Sequence, residues 1–138
     1  MREILFRGKN RNNEWIQGNL LCYPDVNRAF IHVGDYFKGG ACEVIKSTVG
    51  QFTGVLDENG RKIFEGDLIQ IRFEGDAEPP STPPVWYETG KVVWHGQLHG
   101  WYVIFDSPDG IPIQEYDDCD GVFVIGNIHD NPELLEGA

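Results

Sequence analysis

Of the four carboxylates in the short window "GVLDENGRKIFEGDLI", Asp57, Glu65 and Asp67 are the candidates for chemistry. Carboxylates this close can converge on a divalent cation, which takes hard oxygen ligands and can activate water for hydrolytic or phosphoryl chemistry. Each also has a plainer use. Asp57 opens "DENG", where its side chain can accept from backbone amides two residues on and so fix a turn. Asp67 closes the corner "EGD", and an acidic chain brings carboxylates together by composition alone. Glu65 is the least explained by turn chemistry. The expectation is that the window is mostly architecture, with Glu65 and Asp67 also free to face a partner. A metal-dependent hydrolase or nuclease using Asp57, Glu65 and Asp67 is the alternative.

Other chemistry is thinner. His95 and His99 flank a turn in "WHGQLHG", but two imidazoles do not make a closed metal site. Cys22, Cys42 and Cys119 are an odd, widely spaced set without C-x-x-C, which argues against a disulfide framework or a zinc knuckle and for a reducing cytoplasm. The run "EYDDCDG" fails as a calcium loop, because the register puts Tyr116 at the first ligand. There is no G-x-S-x-G, and "GDYFKGG" lacks the G-K-[ST] and following helix of a phosphate cradle. No catalytic residue, resident metal or cofactor is expected.

The elements that position these groups read as strands. The chain of 138 residues carries 17 glycines and 8 prolines, which favours short strands and frequent reversals. "REILFR" and "WIQGNLLCY" form an N-terminal hairpin, and "AFIHVGDYF" supplies a third strand. "QFTGVL" and "RKIF" flank Asn59-Gly60, a pair suited to a tight turn. Gly54 and Gly66 serve reversals where a side chain would be strained. In "LIQIRF", Ile69, Ile71 and Phe73 share one face. Residues 74–90, with four prolines among acids, read as an inserted loop; the P-x-x-P within it is more simply a stiff surface segment than a ligand. "GKVVWHGQLHGWYVIFD" is a hairpin, "VFVIGNI" a buried strand, and "HDNPELLEGA" a short C-terminal helical turn capped by Asp130 or Asn131, with Pro132 at its start and Gly137 after it.

Charge excludes further classes. Lys and Arg total 11 against 22 Asp and Glu, a net −11. Phosphate backbones and anionic bilayers are bound through basic side chains, so direct nucleic-acid binding and membrane docking are not expected. The interrupted apolar residues of "MREILFRGKN" do not make a signal peptide, and no apolar run approaches bilayer length. A cytoplasmic protein is expected.

Three segments, "REILFRG", "VGQFTGVLDENGRKIFEGDLI" and "VIGNIHDNPELLE", resemble the YopX family of small proteins carried by bacteriophages and prophages. Order and spacing match over nearly the whole chain. The signature positions are Gly54, Asp57, Asn59, Gly60, Glu65, Gly66, Asp67, Gly126, Asn127, Asn131 and Pro132. Residues 22–49 and 74–121 carry no signature, and His129 stands where the family usually has an aromatic. The resemblance implies an all-β fold containing an SH3-like small barrel, either as one domain over 1–138 or as an N-terminal β subdomain, 1–49, packed on a barrel, 50–138. It implies no activity.

The function expected is a non-catalytic protein-binding or assembly module in a phage-bearing bacterial cell, engaging a protein partner or a second copy of itself. Trp86, Tyr87, Trp94, Trp101 and Tyr102 are the candidate partner surface, since aromatics anchor interfaces; the competing account is that they fill a small core. An acidic protein engaging a host nucleic-acid-binding protein is a further alternative.

Overall fold

A computed structural model describes residues 4–22, 26–34, 40–105, 110–113 and 121–136. The calls on Tyr116, Cys119 and Gly137, and most of "GDYFKGG", lie outside those residues. Strands dominate, as expected of an all-β chain: β1 (Phe6–Lys9), β2 (Trp15–Cys22), β3 (Ala29–His32), β4 (Ala41–Val44), β5 (Gly50–Leu56), β6 (Lys62–Phe64), β7 (Asp67–Glu74), β8 (Val85–His95), β9 (Gly100–Ile104), β10 (Ile111–Pro112) and β11 (Val122–Asn127). One short helix, α1 (Glu133–Glu136), follows. Among the described residues no helix is long and apolar enough to cross a membrane. The chain divides into two compact units, Met1–Gly54 and Val55–Ala138, so the boundary falls within β5, five residues beyond the expected 49/50 division.

In the first unit the strands lie antiparallel in the order β4-β3-β2-β1-β5. The register of the β1–β2 hairpin is set by its turn. The Asn10 side-chain oxygen accepts from the amides of Asn12 and Glu14, both at 2.9 Å, so pairing starts at Lys9↔Trp15 and runs to Phe6↔Gly18. The core is small: Ala29, Ile31 and Val44, with Phe6, Ile16, Leu20 and Val49 packed against them. Such a core needs a curled sheet to surround it, and glycines permit the curl. The Ile45 amide reaches the Lys9 carbonyl at 2.7 Å, bringing the end of β4 back to β1. A side chain at Gly8 would meet Val44 Cγ2 at 2.9 Å, and one at Gly18 would collide with the His32 carbonyl oxygen. A 3-10 turn, Lys46–Thr48, closes this end, its Thr48 hydroxyl accepting from the Lys9 amide at 2.8 Å. Cys22 and Cys42 are exposed, on strands separated by β3, too far apart for a disulfide. On the exposed side Arg28 grips Glu43 with two bonds, 2.7 and 3.0 Å, which lowers the Glu43 pKa. What that pair adds to stability is present above the ordinary glutamate range and fades as pH falls through the depressed value.

In the second unit five strands run in the order β10-β9-β8-β7-β11. Ile63, Ile69, Ile71, Val92, Trp101, Val103, Ile113 and Val122 form the core. Ile69, Ile71 and Phe73 do share a face, as their alternation requires; Leu68, on the other face, is nonetheless fully buried. Among the described residues β10 and β11 are not paired with each other, so the sheet stays open. Two local expectations change. The loop between β7 and β8 is shorter than 74–90, because β8 begins at Val85, directly after Pro84, and Val85–Gly90 pair along β7. "VFVIGNI" is not buried throughout: β11 is an outer strand whose pairing shifts between Val124 and Gly126, leaving Ile125 exposed.

The curl of the first unit predicts a sharp contrast between two glycines. Gly18→Ala should cost about 3 kcal/mol, since its new methyl group meets backbone that cannot yield. Gly40→Ala, with open space around it, should be near neutral. Urea unfolding midpoints of the two variants check this.

Candidate functional site: a pinned corner and an exposed aromatic strand

The D-x-N-G turn forms as its residues dictate. Asp57 Oδ1 accepts from the Asn59 amide at 2.9 Å and the Arg61 amide at 2.8 Å. The Gly60 amide reaches the Asp57 carbonyl at 3.0 Å. Gly54, Gly60 and Gly66 adopt φ of +89°, +81° and +88°, the left-handed region that side chains disfavour. This much is local. The distant partner is not: Asp57 Oδ2 accepts from the Val124 amide at 3.0 Å, across 67 residues. The next residue repeats the reach. The Glu58 amide donates to the Val122 carbonyl at 2.9 Å, and Glu58 Oε1 accepts from the Gly121 amide at 3.0 Å. Arg61 Nη1 adds a longer bond, 3.4 Å, to the Val124 carbonyl. The turn therefore lies along the outer edge of β11 and satisfies peptide groups that β7 does not reach. Glu58, Arg61 and Val124 were not singled out from the sequence; only the D-x-N-G pattern pointed at the spot.

The E-G-D corner uses its acid in the same way. Asp67 is 1 % exposed, and its Oδ2 accepts from the Phe64 amide at 2.8 Å. The Gly66 amide donates to Val92, and the Gly66 carbonyl accepts from Ile128, both at 2.9 Å. Asp67 pairs in register with Asn127, so the corner meets the C-terminal signature. There Asn127 Oδ1 accepts from the amides of His129 and Asp130 at 3.0 and 2.9 Å, turning the chain after β11. The Asn131 side chain does not cap α1: it points back and accepts from the Asn127 amide at 3.3 Å. Gly126 makes room for it, because a methyl group there would stand 2.5 Å from Asn131 Oδ1. Pro132 directly precedes α1 and its carbonyl accepts from Leu135 at 3.2 Å.

This geometry bears on the metal alternative. Asp57, 4 % exposed, accepts three backbone amides, which occupies most of a carboxylate's lone-pair positions. Asp67 is turned to the Phe64 amide, and Glu65 is half-buried. Among the described residues no three His, Cys, Asp or Glu side chains are grouped to hold a metal ion. His95 Nδ1 accepts from the Leu98 amide at 3.2 Å, and His99 takes φ +52° in the turn.

The aromatic residues separate into two kinds. Trp101 is 5 % exposed and belongs to the core, a correction to its place on the candidate surface. It shares the core face of β9 with Val103. Tyr102, on the opposite face, is half-buried, its ring 5.2 Å from that of His95. Trp86, Tyr87 and Trp94 are 45 %, 52 % and 49 % exposed. The two tryptophans are braced by a ring on the neighbouring strand. Trp86 stacks on Phe73 at 5.8 Å between ring centres, and Trp94 meets Trp101 edge-on at 5.2 Å. Val85 and Leu98, neither expected from the sequence, extend the exposed apolar surface at the two ends of β8.

A family model described as YopX protein matches residues 5–136, nearly the full length. The chain belongs to the YopX family. A solved structure, the crystal structure of protein EF1440 from Enterococcus faecalis, is similar in fold, with a TM-score of 0.56 and 21% identity over 98% of this chain and 99% of that one. Among curated proteins none matches the sequence.

Asp57→Asn tests the pinned corner. The amide keeps the shape but sets an NH2 group or a weaker acceptor against amides that the carboxylate served. The variant should lose about 2–4 kcal/mol of stability, and hydrogen exchange at Val124 should quicken ahead of exchange at Ile71 in β7. A variant as stable as the parent would remove Asp57 from this role.

Proposed function

We propose that this YopX-family chain is a non-catalytic protein-binding or assembly module, a phage or prophage accessory protein working in the cytoplasm of its bacterial host. The observation that carries the reading is the exposure of Trp86, Tyr87 and Trp94 on β8, with the two tryptophans braced by rings on the neighbouring strands. An exposed ring already held in one orientation loses little conformational freedom on binding, which suits an interface anchor. The open five-stranded sheet is, in this reading, a variant of an SH3-like small barrel that displays β8. The carboxylates support a scaffold more than a hydrolase, since Asp57 and Asp67 are turned to backbone amides. The net −11 favours a protein partner over nucleic acid.

The test compares the parent with a Trp86→Ser, Tyr87→Ser, Trp94→Ser variant in affinity capture from phage-infected cells, with light scattering on both. The triple variant should keep its fold and lose the captured partner or the self-association. Trp101→Ala serves as the contrast, since removing this core ring should cost about 3–5 kcal/mol. Equal capture by parent and triple variant would overturn the reading, as would no association by the parent.

A further inference from the structure

β8 is eleven residues long, but β9 covers only part of it. The ladder between them runs from His95↔Gly100 to Lys91↔Ile104 and stops. Val85–Gly90 therefore pair with β7 alone among the described residues. The direction of their peptide groups follows from alternation along the ladder. The Arg72 amide donates to the Gly121 carbonyl, away from β8, whereas the Gly75 amide donates to Pro84. Phe73↔Trp86 and Ile71↔Glu88 are thus the bonded pairs, and the peptide groups of Val85, Tyr87 and Thr89 point out of the sheet. A flat apolar edge of this kind templates another strand, and proteins usually blunt it with proline or a bulge. Between Pro84 and His95 there is neither a proline nor a shift in the β8 ladders.

The surroundings select what can join. Trp86 and Tyr87 are exposed on opposite faces at this edge. Glu88, exposed, follows them; Glu74 pairs in register with Val85; and Gly75, which leads into Asp76 and Glu78, lies against the Trp86 ring. Of the neighbouring cations, Arg72 is engaged by Glu74 at 3.2 Å. Guanidinium and ammonium groups are drawn both to carboxylates and to aromatic faces. We propose that the outer edge of β8, Val85–Thr89, binds an extended, cationic segment of a partner protein by strand addition. Its backbone continues the ladder, and its Arg or Lys side chains, all on one face, lie over Trp86 beside Glu88 while the alternate side chains lie on the Tyr87 face. This rests on the reading of the chain as a binding module and names its partner's chemistry. A second copy is a poorer occupant, because it would set Glu88 and its acidic neighbours against their own kind.

The probe is an alternating arginine–valine nonapeptide, with a glutamate–valine nonapeptide as control, titrated into the full chain at physiological salt and followed by amide hydrogen exchange. The arginine peptide should bind at least about tenfold tighter and protect the Tyr87 and Thr89 amides. Thr89→Pro removes one outward N–H without touching the β7 ladder and should weaken binding about tenfold. Glu88→Arg, a surface change that leaves the fold intact, should weaken it by a similar factor and keeps the test decisive if the proline variant unfolds. Equal binding of the two peptides, or binding without protection of Tyr87 and Thr89, overturns the proposal. So does a dimer of the chain alone that Thr89→Pro dissolves. Partner capture that is lost in the aromatic triple variant but untouched by Thr89→Pro and Glu88→Arg would sink strand addition while leaving the binding-module reading standing.

Discussion

One buried carboxylate joins what the chain keeps far apart. Asp57 closes its own turn through Oδ1 and holds the Val124 amide, 67 residues away, through Oδ2. Charge-assisted bonds to amides are stronger than neutral ones, and here they are made where water is nearly absent. The turn becomes a rigid cover along β11. Without it, the outward amide of Val124 and the carbonyl of Val122 would face solvent on an outer strand, open to any competing strand. The E-G-D corner and the Asn127 turn sit at the other end of the same strand, so three signature pieces serve one task, which is to finish β11.

This explains why the acids of the signature looked like a metal site. A cation and a set of backbone amides ask the same thing of a carboxylate: lone pairs presented in a fixed direction. Residue type and spacing do not distinguish the two uses. What decides is which groups arrive from elsewhere in the chain, and here Val124 arrives as an amide donor. The local half of the arrangement was legible in the sequence, because an aspartate followed by Asn-Gly builds its turn from neighbours alone. The same holds for the positive φ of Gly60 and Gly66. The Asn131 side chain was misjudged for the opposite reason. A helix cap is the local use of an asparagine, while its actual partner, the Asn127 amide, becomes reachable only because Gly126 has no side chain in the way.

The aromatic residues mark a second limit. Trp94 and Trp101 are directly paired across β8 and β9 and touch edge to face, yet one is half exposed and the other is core. Period-two alternation puts both on the same face and cannot say how far along the strands the covering layer extends. Val92, Trp101 and Val103 on that face are buried in the core, while Trp86 and Trp94 on the same face are about half exposed. The boundary at Val85 was missed similarly. Acid- and proline-rich composition up to Pro84 made the following residues look like loop, although Val85, Trp86 and Tyr87 are strong strand formers.

The two sides of the second sheet are handled differently, and the difference is informative. On β11, several side chains and a whole turn are committed to covering the peptide groups that β7 leaves over. On the Val85–Thr89 half of β8, no comparable cover is present among the described residues, although the segment is more apolar and more aromatic. An exposed strand edge invites aggregation, so an edge with no cover among the described residues, beside a covered one, needs a reason. In the proposed reading the braced rings supply it, since Phe73 stacked beside Trp86 is packing material that a bare edge would not need. The acids around it also repel further copies of this chain while attracting cationic groups. In the proposed reading, protection by charge rather than by a plug keeps such an edge soluble when empty and available when a suitable segment arrives.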